Sequence, residues 1–310
     1  MPTQARNRML AVGEVLFDCF PGGKRLGGAP CNFSIHARGL GAKVDFLTRV
    51  GDDANGKMIR EKLAGLGFNL DLIQIDGDWP TGVVHVTFND CGNPEYEIVP
   101  AAWDHIELDA ESASRLSDDP PHLFYFGTLA QRTPAGASLI ERLAERLAGK
   151  CTFLCDLNLR RGHVVKPRVF RSLELCDALK LNEEELAYLA AELGSTGTRE
   201  QIMEELQRRF SISVIALTRG KLGSILLSES GFTRSAGVKV ADPVNTVGAG
   251  DAFTAALAVG MLNDDPPGQI LLRAGGLAAE VCRLPGAVPE NPGFFTAFLS
   301  RPAKGETHGQ

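Results

Sequence analysis

Short apolar runs alternate with longer segments of helical period along most of the chain. Short, mainly apolar runs predict strands at residues 9–17, 44–50, 123–126, 152–155, 178–181 and 214–217. Several of these runs are unbroken, as expected for parallel strands that are covered on both faces. Segments of helical period predict helices between them, at residues 54–66, 136–147, 183–193 and 200–210. This alternation predicts an α/β fold with a doubly wound, mostly parallel sheet.

One region breaks this rhythm and predicts a β-hairpin. Residues 81–88 alternate apolar and polar side chains, and the alternation resumes at Tyr96 and Ile98 after a turn-rich stretch. A hairpin cannot lie inside a parallel core, so we expect it to form a flap. Its apolar face (Val84, Val86 and Phe88) would either close over a ligand or pair with a second copy in a homodimer.

Composition narrows the class of protein. The 310 residues are 44% hydrophobic and 23% charged, with 32 basic and 38 acidic side chains and a formal net charge of −6, a profile typical of soluble globular proteins. No basic block is interleaved with aromatic residues, so we expect no nucleic-acid partner. Apolar stretches fall short of the roughly 20 residues that span a bilayer, which predicts no membrane partner and a cytoplasmic location. The seven scattered cysteines are expected to be reduced thiols rather than zinc ligands.

The strongest local signal for chemistry is the stretch Asn-Thr-Val-Gly-Ala-Gly-Asp-Ala-Phe at residues 245–253. The residues after Asp251 are apolar nearly all round and predict a buried helix. The N-terminus of such a helix offers free N–H groups, and its glycines let a terminal phosphate approach the backbone closely. Asp251 would then accept the proton of an incoming hydroxyl. By local pattern alone, Asp251 fits about equally well as the N-cap of the helix.

A second stretch changes that balance. Residues 27–34, Gly-Gly-Ala-Pro-Cys-Asn-Phe-Ser, together with Gly41 and Gly51, resemble the first signature of the ribokinase-like (PfkB) carbohydrate kinases. Residues 245–258 resemble the second signature of that family. The resemblance covers most of the chain and implies a single domain, residues 1–310, with a small β lid formed from about 14–27 and 81–101. It also implies transfer of the γ-phosphoryl group of ATP to a sugar hydroxyl, with Mg²⁺ as cofactor.

The resemblance assigns roles to residues of both signatures. It makes Asp251 the catalytic base and the N–H groups of Gly248, Ala249 and Gly250 the anion hole. Its sugar-binding residues are Asp18, at the carboxyl end of the first predicted strand, together with Gly28, Asn32 and Arg160. Asp18 would otherwise be interpreted as a solvated loop carboxylate. Arg160 belongs to the stretch Asp-Leu-Asn-Leu-Arg at residues 156–160, in which Leu157 replaces the proline of related sugar kinases.

The remaining assignments concern ATP and its metal ion. Asn158 is expected near the phosphates. Asn182 and Glu185 have the spacing of a helix capping box, and in the family this glutamate organises magnesium-bound water, so we assign Asn182 to ATP and Glu185 to Mg²⁺ through water. The stretch at residues 218–224 resembles the family's nucleotide loop and would otherwise be a plain hairpin turn. Its assigned residues are Thr218, Gly220 and Gly223. We expect the adenine near residues 270–282 and 286–287.

One departure from the family concerns a monovalent cation. Many relatives carry Asp where this chain has Asn245, and the aspartate helps to bind that cation. An asparagine keeps an oxygen ligand but loses the negative charge. We therefore expect potassium to activate the enzyme weakly or not at all.

The sequence thus predicts an ATP-dependent sugar kinase that acts on a hexose or ketohexose such as fructose. A 2-keto-3-deoxygluconate, ribose or nucleoside kinase remains an alternative within the same family. A sugar-binding sensor without catalysis is an alternative from another class. The feature that distinguishes a kinase from such a sensor is the pair formed by Asp251 and the anion hole, which is intact in this sequence.

Overall fold

The computed structural model describes residues 7–20, 23–88 and 94–301, of which residues 20, 85–88 and 94–96 are described by their backbone alone. Strands within these ranges are β1 (Arg8–Val12), β2 (Leu16–Phe20), β3 (Gly23–Gly27), β4 (Lys43–Gly51), β5 (Ile73–Asp76), β6 (Gly82–Phe88), β7 (Pro94–Ile98), β8 (Leu123–Gly127), β9 (Thr152–Asp156), β10 (Ala178–Asn182), β11 (Val214–Thr218), β12 (Ser224–Ser228) and β13 (Gly231–Ser235). The helices are α1 (Ala29–Gly39), α2 (Ala54–Gly65), α3 (Ala110–Asp118), α4 (Pro134–Leu147), α5 (Lys166–Leu175), α6 (Glu183–Leu193), α7 (Arg199–Phe210), α8 (Ala249–Leu262), α9 (Pro267–Val281) and α10 (Phe294–Leu299).

A nine-stranded sheet forms the centre of the molecule, in the order β13-β12-β11-β10-β9-β8-β1-β4-β5. The strands from β5 to β11 in this order are parallel, and β12 and β13 extend one edge antiparallel. Alternate residues of β1 belong to two different cores, Met9 and Ala11 to one and Leu10 and Val12 to the other. Helices α1, α2, α8 and α9 cover the first face, and α3 to α7 cover the second. The predicted doubly wound α/β class is confirmed.

One strand prediction is wrong in an informative way. The apolar run at residues 9–17 is not a single strand, because β1 ends at Val12 and β2 begins at Leu16 in a different sheet. The chain turns at Gly13, which has φ +142°, and a β carbon there would lie 2.7 Å from Cγ of Pro30. This stretch is apolar apart from Gly13 and Glu14, and it crosses between two sheets that each bury their own part of it. Asp18 consequently lies within β2 and not in a loop.

The second sheet has four strands in the order β3-β2-β6-β7. Strand β2 pairs antiparallel with β3 and parallel with β6, and β6 pairs antiparallel with β7. The predicted hairpin is therefore present as β6 and β7. Its connecting residues 89–93 and the side chains of Val86 and Phe88 lie outside the described part of the chain, whereas Val84 is buried.

The carboxyl ends of the parallel strands meet at one edge of the large sheet. Strands β9, β10 and β11 end there at Asp156, Asn182 and Thr218. Open α/β sheets bind their ligands at this edge. Helices α1 and α8 pack against each other beside it, so the two glycine-rich stretches that precede these helices can meet. No helix in the described ranges is long and apolar enough to cross a membrane.

Candidate active site

The glycine-rich turn before α8 exposes backbone N–H groups. Gly248 is the N-cap with φ +79°, and a β carbon at this position would lie 2.6 Å from Cα of Ala287, so only glycine fits. Within the described residues, the N–H groups of Gly248 and Gly250 meet no acceptor, and that of Ala249 makes only a 3.3 Å contact with the Thr246 carbonyl. The first turn of a helix leaves such donors free and carries a partial positive charge. This turn is therefore suited to bind an anion.

Asp251 is the third residue of α8 and does not cap it, since no side chain accepts a hydrogen bond at this N-terminus. The interpretation of Asp251 as an N-cap is wrong. Its carboxylate is 8% exposed, because the helix around it is apolar on every side and packs into the core. A buried carboxylate that does not serve the helix is a candidate for chemistry.

A single hydrogen bond joins the two glycine-rich stretches. Nδ2 of Asn32, in the first turn of α1, donates to Oδ2 of Asp251 over 2.7 Å. Oδ1 of Asn32 is buried and has no partner in the described part of the structure, so it is free to accept from a ligand. Helix α1 begins after Gly28, which has φ +100° and whose missing β carbon would lie 2.5 Å from the carbonyl oxygen of Glu14. The backbone at Gly28 thus lies against the segment that precedes β2, at a distance that only glycine allows.

Two carboxylates and one arginine surround this contact. Burial raises the pKa of Asp18 to about 6 and that of Glu14 to about 7, and the positive charge of Arg160 partly offsets both shifts. Oε1 of Glu14 accepts from the N–H of Ala29, at the start of α1, over 3.2 Å. Asp18 lies against Gly27, at the end of the neighbouring strand. Asn32 therefore contacts Asp251 directly, and the charge of Arg160 acts on Asp18, Glu14 and Asp251.

The proton affinity of Asp251 is raised by its surroundings. Burial and the negative charge of Asp156 lift its pKa to about 6, whereas the hydrogen bond from Asn32 and the charges of Lys180 and Arg160 lower it. At neutral pH the carboxylate is therefore ionised but more basic than a solvent-exposed aspartate. A pKa close to the working pH favours a general base.

Sequence reasoning missed a buried network beneath this turn. Lys180 Nζ lies 3.1 Å from Oδ1 of Asp156, and Thr254 Oγ1 lies 2.9 Å from Oδ2 of the same aspartate. All three side chains are buried. A signal for it was present, because a lysine inside the apolar run of a covered strand is rare unless its charge is paired.

Glu185 forms the predicted capping box at the start of α6. Asn182 Oδ1 accepts from the Glu185 N–H over 2.9 Å, and Glu185 Oε2 accepts from the Asn182 N–H over 2.8 Å. Oε1 of Glu185 also accepts from the N–H of Leu159, over 2.9 Å. Asn158, next to it, has φ +39°, which turns the chain from β9 toward this carboxylate. The structure thus brings Asn158, Asn182 and Glu185 together.

The fit of a metal ion to this site follows from the free lone pairs of Glu185. Each of its oxygens already accepts one backbone N–H but keeps a second lone pair, which suits a metal-bound water better than direct ligation. Among the described residues, no group of three His, Cys, Asp or Glu side chains could hold a metal ion by itself. Mg²⁺ usually keeps several waters and relies on substrate phosphates, so these residues fit it in that manner.

The stretch after β11 is a tight antiparallel connection to β12. Gly223 has φ +93°, and a β carbon there would lie 2.0 Å from the carbonyl oxygen of Ser235, so glycine is required. Thr218 stands opposite Asn182 in the register of β10 and β11, which places the two residues side by side at the ligand-binding edge. Arg219 pairs with Glu183 at 3.2 Å. The turn is therefore both a hairpin and a neighbour of the capping box.

Asn245 ties the turn before α8 to the loop after α9. Its Oδ1 accepts from the N–H of Val247 over 2.8 Å, and its Nδ2 donates to the carbonyl oxygen of Leu284 over 2.9 Å. A backbone N–H can only donate, so this pair of bonds fixes which amide atom faces Leu284. A carboxylate in this place would turn a second oxygen toward the carbonyl and would need a cation or a proton between them.

Comparisons with known proteins identify the family of the chain. A family profile described as "pfkB family carbohydrate kinase" matches residues 9–292. The chain is 28% identical to a fructokinase from Klebsiella pneumoniae over 293 residues, covering 89% of this chain and 91% of that protein. It is 27% identical to a fructokinase from Escherichia coli over 277 residues, covering 82% and 84%.

Solved structures show the same fold. A fructokinase from Xylella fastidiosa with bound ATP superposes with a TM-score of 0.78 at 22% identity, covering 94% of this chain and 95% of that chain. A fructokinase double mutant from Vibrio cholerae, in fructose, ADP and potassium ion bound form, superposes with a TM-score of 0.80 at 23% identity, covering 96% and 100%.

The chain belongs to the pfkB family of carbohydrate kinases. The sequence-based predictions of the family, the fold class and a sugar-kinase activity are thereby confirmed. Relatives of similar sequence include bacterial fructokinases and a protein from Arabidopsis thaliana that is described as a probable fructokinase. The assignments of individual site residues remain proposals.

Proposed function

We propose that this protein transfers the γ-phosphoryl group of ATP to a hydroxyl of fructose, with Asp251 as the general base. The observation that carries the proposal is the 2.7 Å hydrogen bond from Asn32 to Asp251. It joins a candidate sugar contact to a basic carboxylate in the first turn of a helix with free N–H groups. Phosphoryl transfer needs a positioned acceptor and charge neutralisation more than covalent catalysis, and this arrangement supplies both.

The sugar binds on the side of α1 and β2. Asn32 Oδ1, which is buried and unpartnered in the described residues, accepts from one hydroxyl. Asp18 accepts from two adjacent hydroxyls, and the backbone at Gly28 allows the sugar to approach closely. Arg160, whose charge acts on Asp18 and Asp251, donates to a sugar oxygen.

The phosphates bind on the side of α8 and the strand ends. The N–H groups of Gly248, Ala249 and Gly250 stabilise the negative charge on the transferring group, with help from the helix dipole. The phosphates and ribose of ATP contact Asn158, Asn182, Thr218, Gly220 and Gly223. Adenine lies near residues 270–282 and 286–287. The exposed apolar side chains of Val238 and Val244 are next to this region, since Val238 lies near Gly275 and the Val244 N–H donates to the Cys282 carbonyl.

Mg²⁺ would bind at this site together with ATP, mainly through the phosphates. Mg²⁺ would neutralise charge on the β- and γ-phosphates. Glu185 would hold one of its waters through a free lone pair. Potassium is not required, because the Asn245 amide already bridges Val247 and Leu284 without a cation.

The four-stranded sheet acts as a lid. Strand β2 carries Asp18 and pairs with β6 of the hairpin, so a movement of this sheet would change both the sugar site and its exposure to water. Closure would prevent hydrolysis of ATP. The alternative is that the sheet pairs with that of a second copy. Size-exclusion chromatography with light scattering distinguishes a monomer from a dimer, and repeating it with sugar present shows whether closure changes the assembly.

Fructose is the preferred acceptor because similar curated relatives are fructokinases. A coupled assay for ADP over about 30 sugars and sugar acids tests this directly, since specificity is a ratio of kcat/KM values. We expect the highest kcat/KM for fructose. A higher value for ribose, for 2-keto-3-deoxygluconate or for a nucleoside would contradict the choice of fructose. Absence of turnover with every acceptor, combined with sugar binding by calorimetry, would instead indicate a sensor.

A further inference from the structure

A buried ion pair lies beneath the first turn of α8. Lys180 Nζ lies 3.1 and 3.4 Å from the two carboxylate oxygens of Asp156, and the residues face each other in register on β10 and β9. Both side chains are almost completely buried. Replacing such a pair by apolar residues of similar volume often leaves stability unchanged or raises it. Packing alone therefore does not explain why a lysine occupies this place.

Two contacts connect the pair to α8. Thr254 Oγ1 lies 2.9 Å from Asp156 Oδ2 and 2.9 Å from the carbonyl oxygen of Gly250. A β carbon on Gly250 would lie 3.1 Å from Lys180 Nζ, so the ammonium lies against the backbone of the proposed anion hole. The ion pair is thus part of the support for the helix turn that carries Asp251.

Charged groups act on Asp251 from several elements. Cys31 on α1 and Tyr125 on β8 are neutral, because burial raises their pKa well above the neutral range. Arg160 and Lys180 favour the ionised form of Asp251, and Asp156 disfavours it. Glu14 and Asp251 also disfavour each other's ionisation. The charge of Asp156 would therefore push a proton onto Asp251 if no cation stood beside it.

The ammonium of Lys180 is retained despite its burial. Burial alone would lower the pKa of Lys180, but the carboxylates of Asp156, Glu185 and Asp251 outweigh burial and raise it. The side chain is therefore charged throughout the neutral range. One cation thus faces three carboxylates, each on a different element of the site.

We propose that Lys180 is a positioning residue of the transfer site, whose buried ammonium keeps Asp251 anionic and supports the first turn of α8 through Asp156 and Thr254. Asp156 supports the helix turn through Thr254, but its negative charge favours protonation of Asp251. The positive charge of Lys180 offsets that effect. The inference rests on the proposed role of Asp251 as the base.

A matched pair of variants isolates the charge of Lys180. The single variant Lys180→Met would leave Asp156 buried and unpaired, and a proton taken up there would hide the effect. The comparison is therefore made between Asp156→Asn and the double variant Asp156→Asn/Lys180→Met, with the wild type as reference. The measurement is the pH profile of kcat at saturating fructose and Mg-ATP, whose acid limb reports the base in the enzyme–substrate complex. Titration of Asp18, which acts on sugar binding, then does not enter the profile.

Asp156→Asn should lower the acid limb, and the additional loss of the Lys180 ammonium should return it close to that of the wild type. Asp156→Asn removes a negative neighbour of Asp251, so the acid limb should move about one pH unit below that of the wild type. Removing the ammonium in the double variant should move it back up by about one unit. Coincident acid limbs in these two variants would overturn the proposal. If the double variant does not fold, an unmoved limb in Asp156→Asn overturns it equally.

A third variant distinguishes the effect of charge on Asp251 from the structural support of α8 by Thr254. Thr254→Val removes the hydroxyl between Asp156 and Gly250 without changing any charge. We expect a lower melting temperature and a lower kcat with an unmoved acid limb. A shift as large as that of Asp156→Asn would show that structure and not charge sets the limb, and would overturn the proposal.

Failure of the proposed function would appear in other measurements. Full turnover by Asp251→Asn, or no turnover of any sugar by the wild type, would remove the base or the activity itself. If only the inference about Lys180 is wrong, the wild type still turns over sugar and Asp251→Asn still loses turnover. Only the positions of the acid limbs then differ from those expected.

Discussion

The replacement Asp251→Asn tests the central assignment through two properties that should change in opposite directions. The amide keeps the shape of the side chain and an oxygen that can accept from Nδ2 of Asn32. It removes the proton acceptor, so kcat should fall by about 10²–10⁴-fold, the usual contribution of a general base. Sugar affinity should change little, because the proposed sugar contacts remain.

The same replacement should stabilise the free protein. The rise of the Asp251 pKa from 3.8 to about 6 corresponds to about 3 kcal/mol of destabilisation by the ionised carboxylate. Because the folded-state pKa is raised, this penalty is absent below pH 3.8, grows between pH 3.8 and 6, and is complete above pH 6. For a chain of this length 1 kcal/mol moves Tm by about 2 °C. We therefore expect a Tm about 6 °C above that of the wild type at pH 8, and a smaller gain at pH 5.

Asp76 provides a matched control, because its pKa is lowered in the folded protein whereas that of Asp251 is raised. It is also a buried aspartate, and burial alone would raise its pKa. Hydrogen bonds from the N–H groups of Asp78 and Trp79 and the charge of Arg49 instead hold that pKa below its usual value. Since its ionised form stabilises the fold, Asp76→Asn should lower Tm at pH 8 and leave kcat unchanged.

Differential scanning fluorimetry at pH 5 and pH 8 and a coupled assay for ADP measure the two properties. The reasoning about Asp251 is refuted by wild-type turnover in Asp251→Asn. A Tm at pH 8 that falls in this variant as it does in Asp76→Asn would refute the claim that the ionised carboxylate of Asp251 is strained by its surroundings.

The remaining predictions concern other contacts of the site. Asn32→Leu should raise KM for fructose at least tenfold, because it removes the amide oxygen that is proposed to accept from a sugar hydroxyl; an unchanged KM in steady-state kinetics would contradict that contact. Wild-type rates should not respond to potassium at fixed ionic strength, whereas Asn245→Asp should become potassium-dependent in both rate and Tm; a steep response of the wild type would contradict the role of the Asn245 amide. Glu185→Gln should raise the Mg²⁺ concentration needed for half-maximal rate, and an unaltered Mg²⁺ titration would argue against a metal-bound water there. Gly248→Ala should lower Tm and raise KM for ATP, since a β carbon would lie 2.6 Å from Cα of Ala287; wild-type values for both would show that the turn has room.

Local patterns predicted most secondary structure because the period of apolar residues is a local property. The helices predicted at residues 54–66 and 183–193 correspond within one residue to Ala54–Gly65 and Glu183–Leu193. The same reasoning failed at residues 9–17, where one apolar run serves two sheets. Hydrophobicity reports burial, and it does not report which core buries the residue.

Two long signatures also allowed the sequence by itself to determine the family and the candidate base. Tertiary structure alone decided how the parts combine. It placed Asn32 against Asp251 across 219 positions of the chain, paired Lys180 with Asp156 beneath the helix turn, and directed the Asn245 amide toward Leu284. These contacts depend on the register of parallel strands, on the packing of α1 against α8 and on the packing of α8 against α9. Long-range pairings of this kind leave no periodic trace in the sequence, and they decide which side chains surround the carboxylate of Asp251.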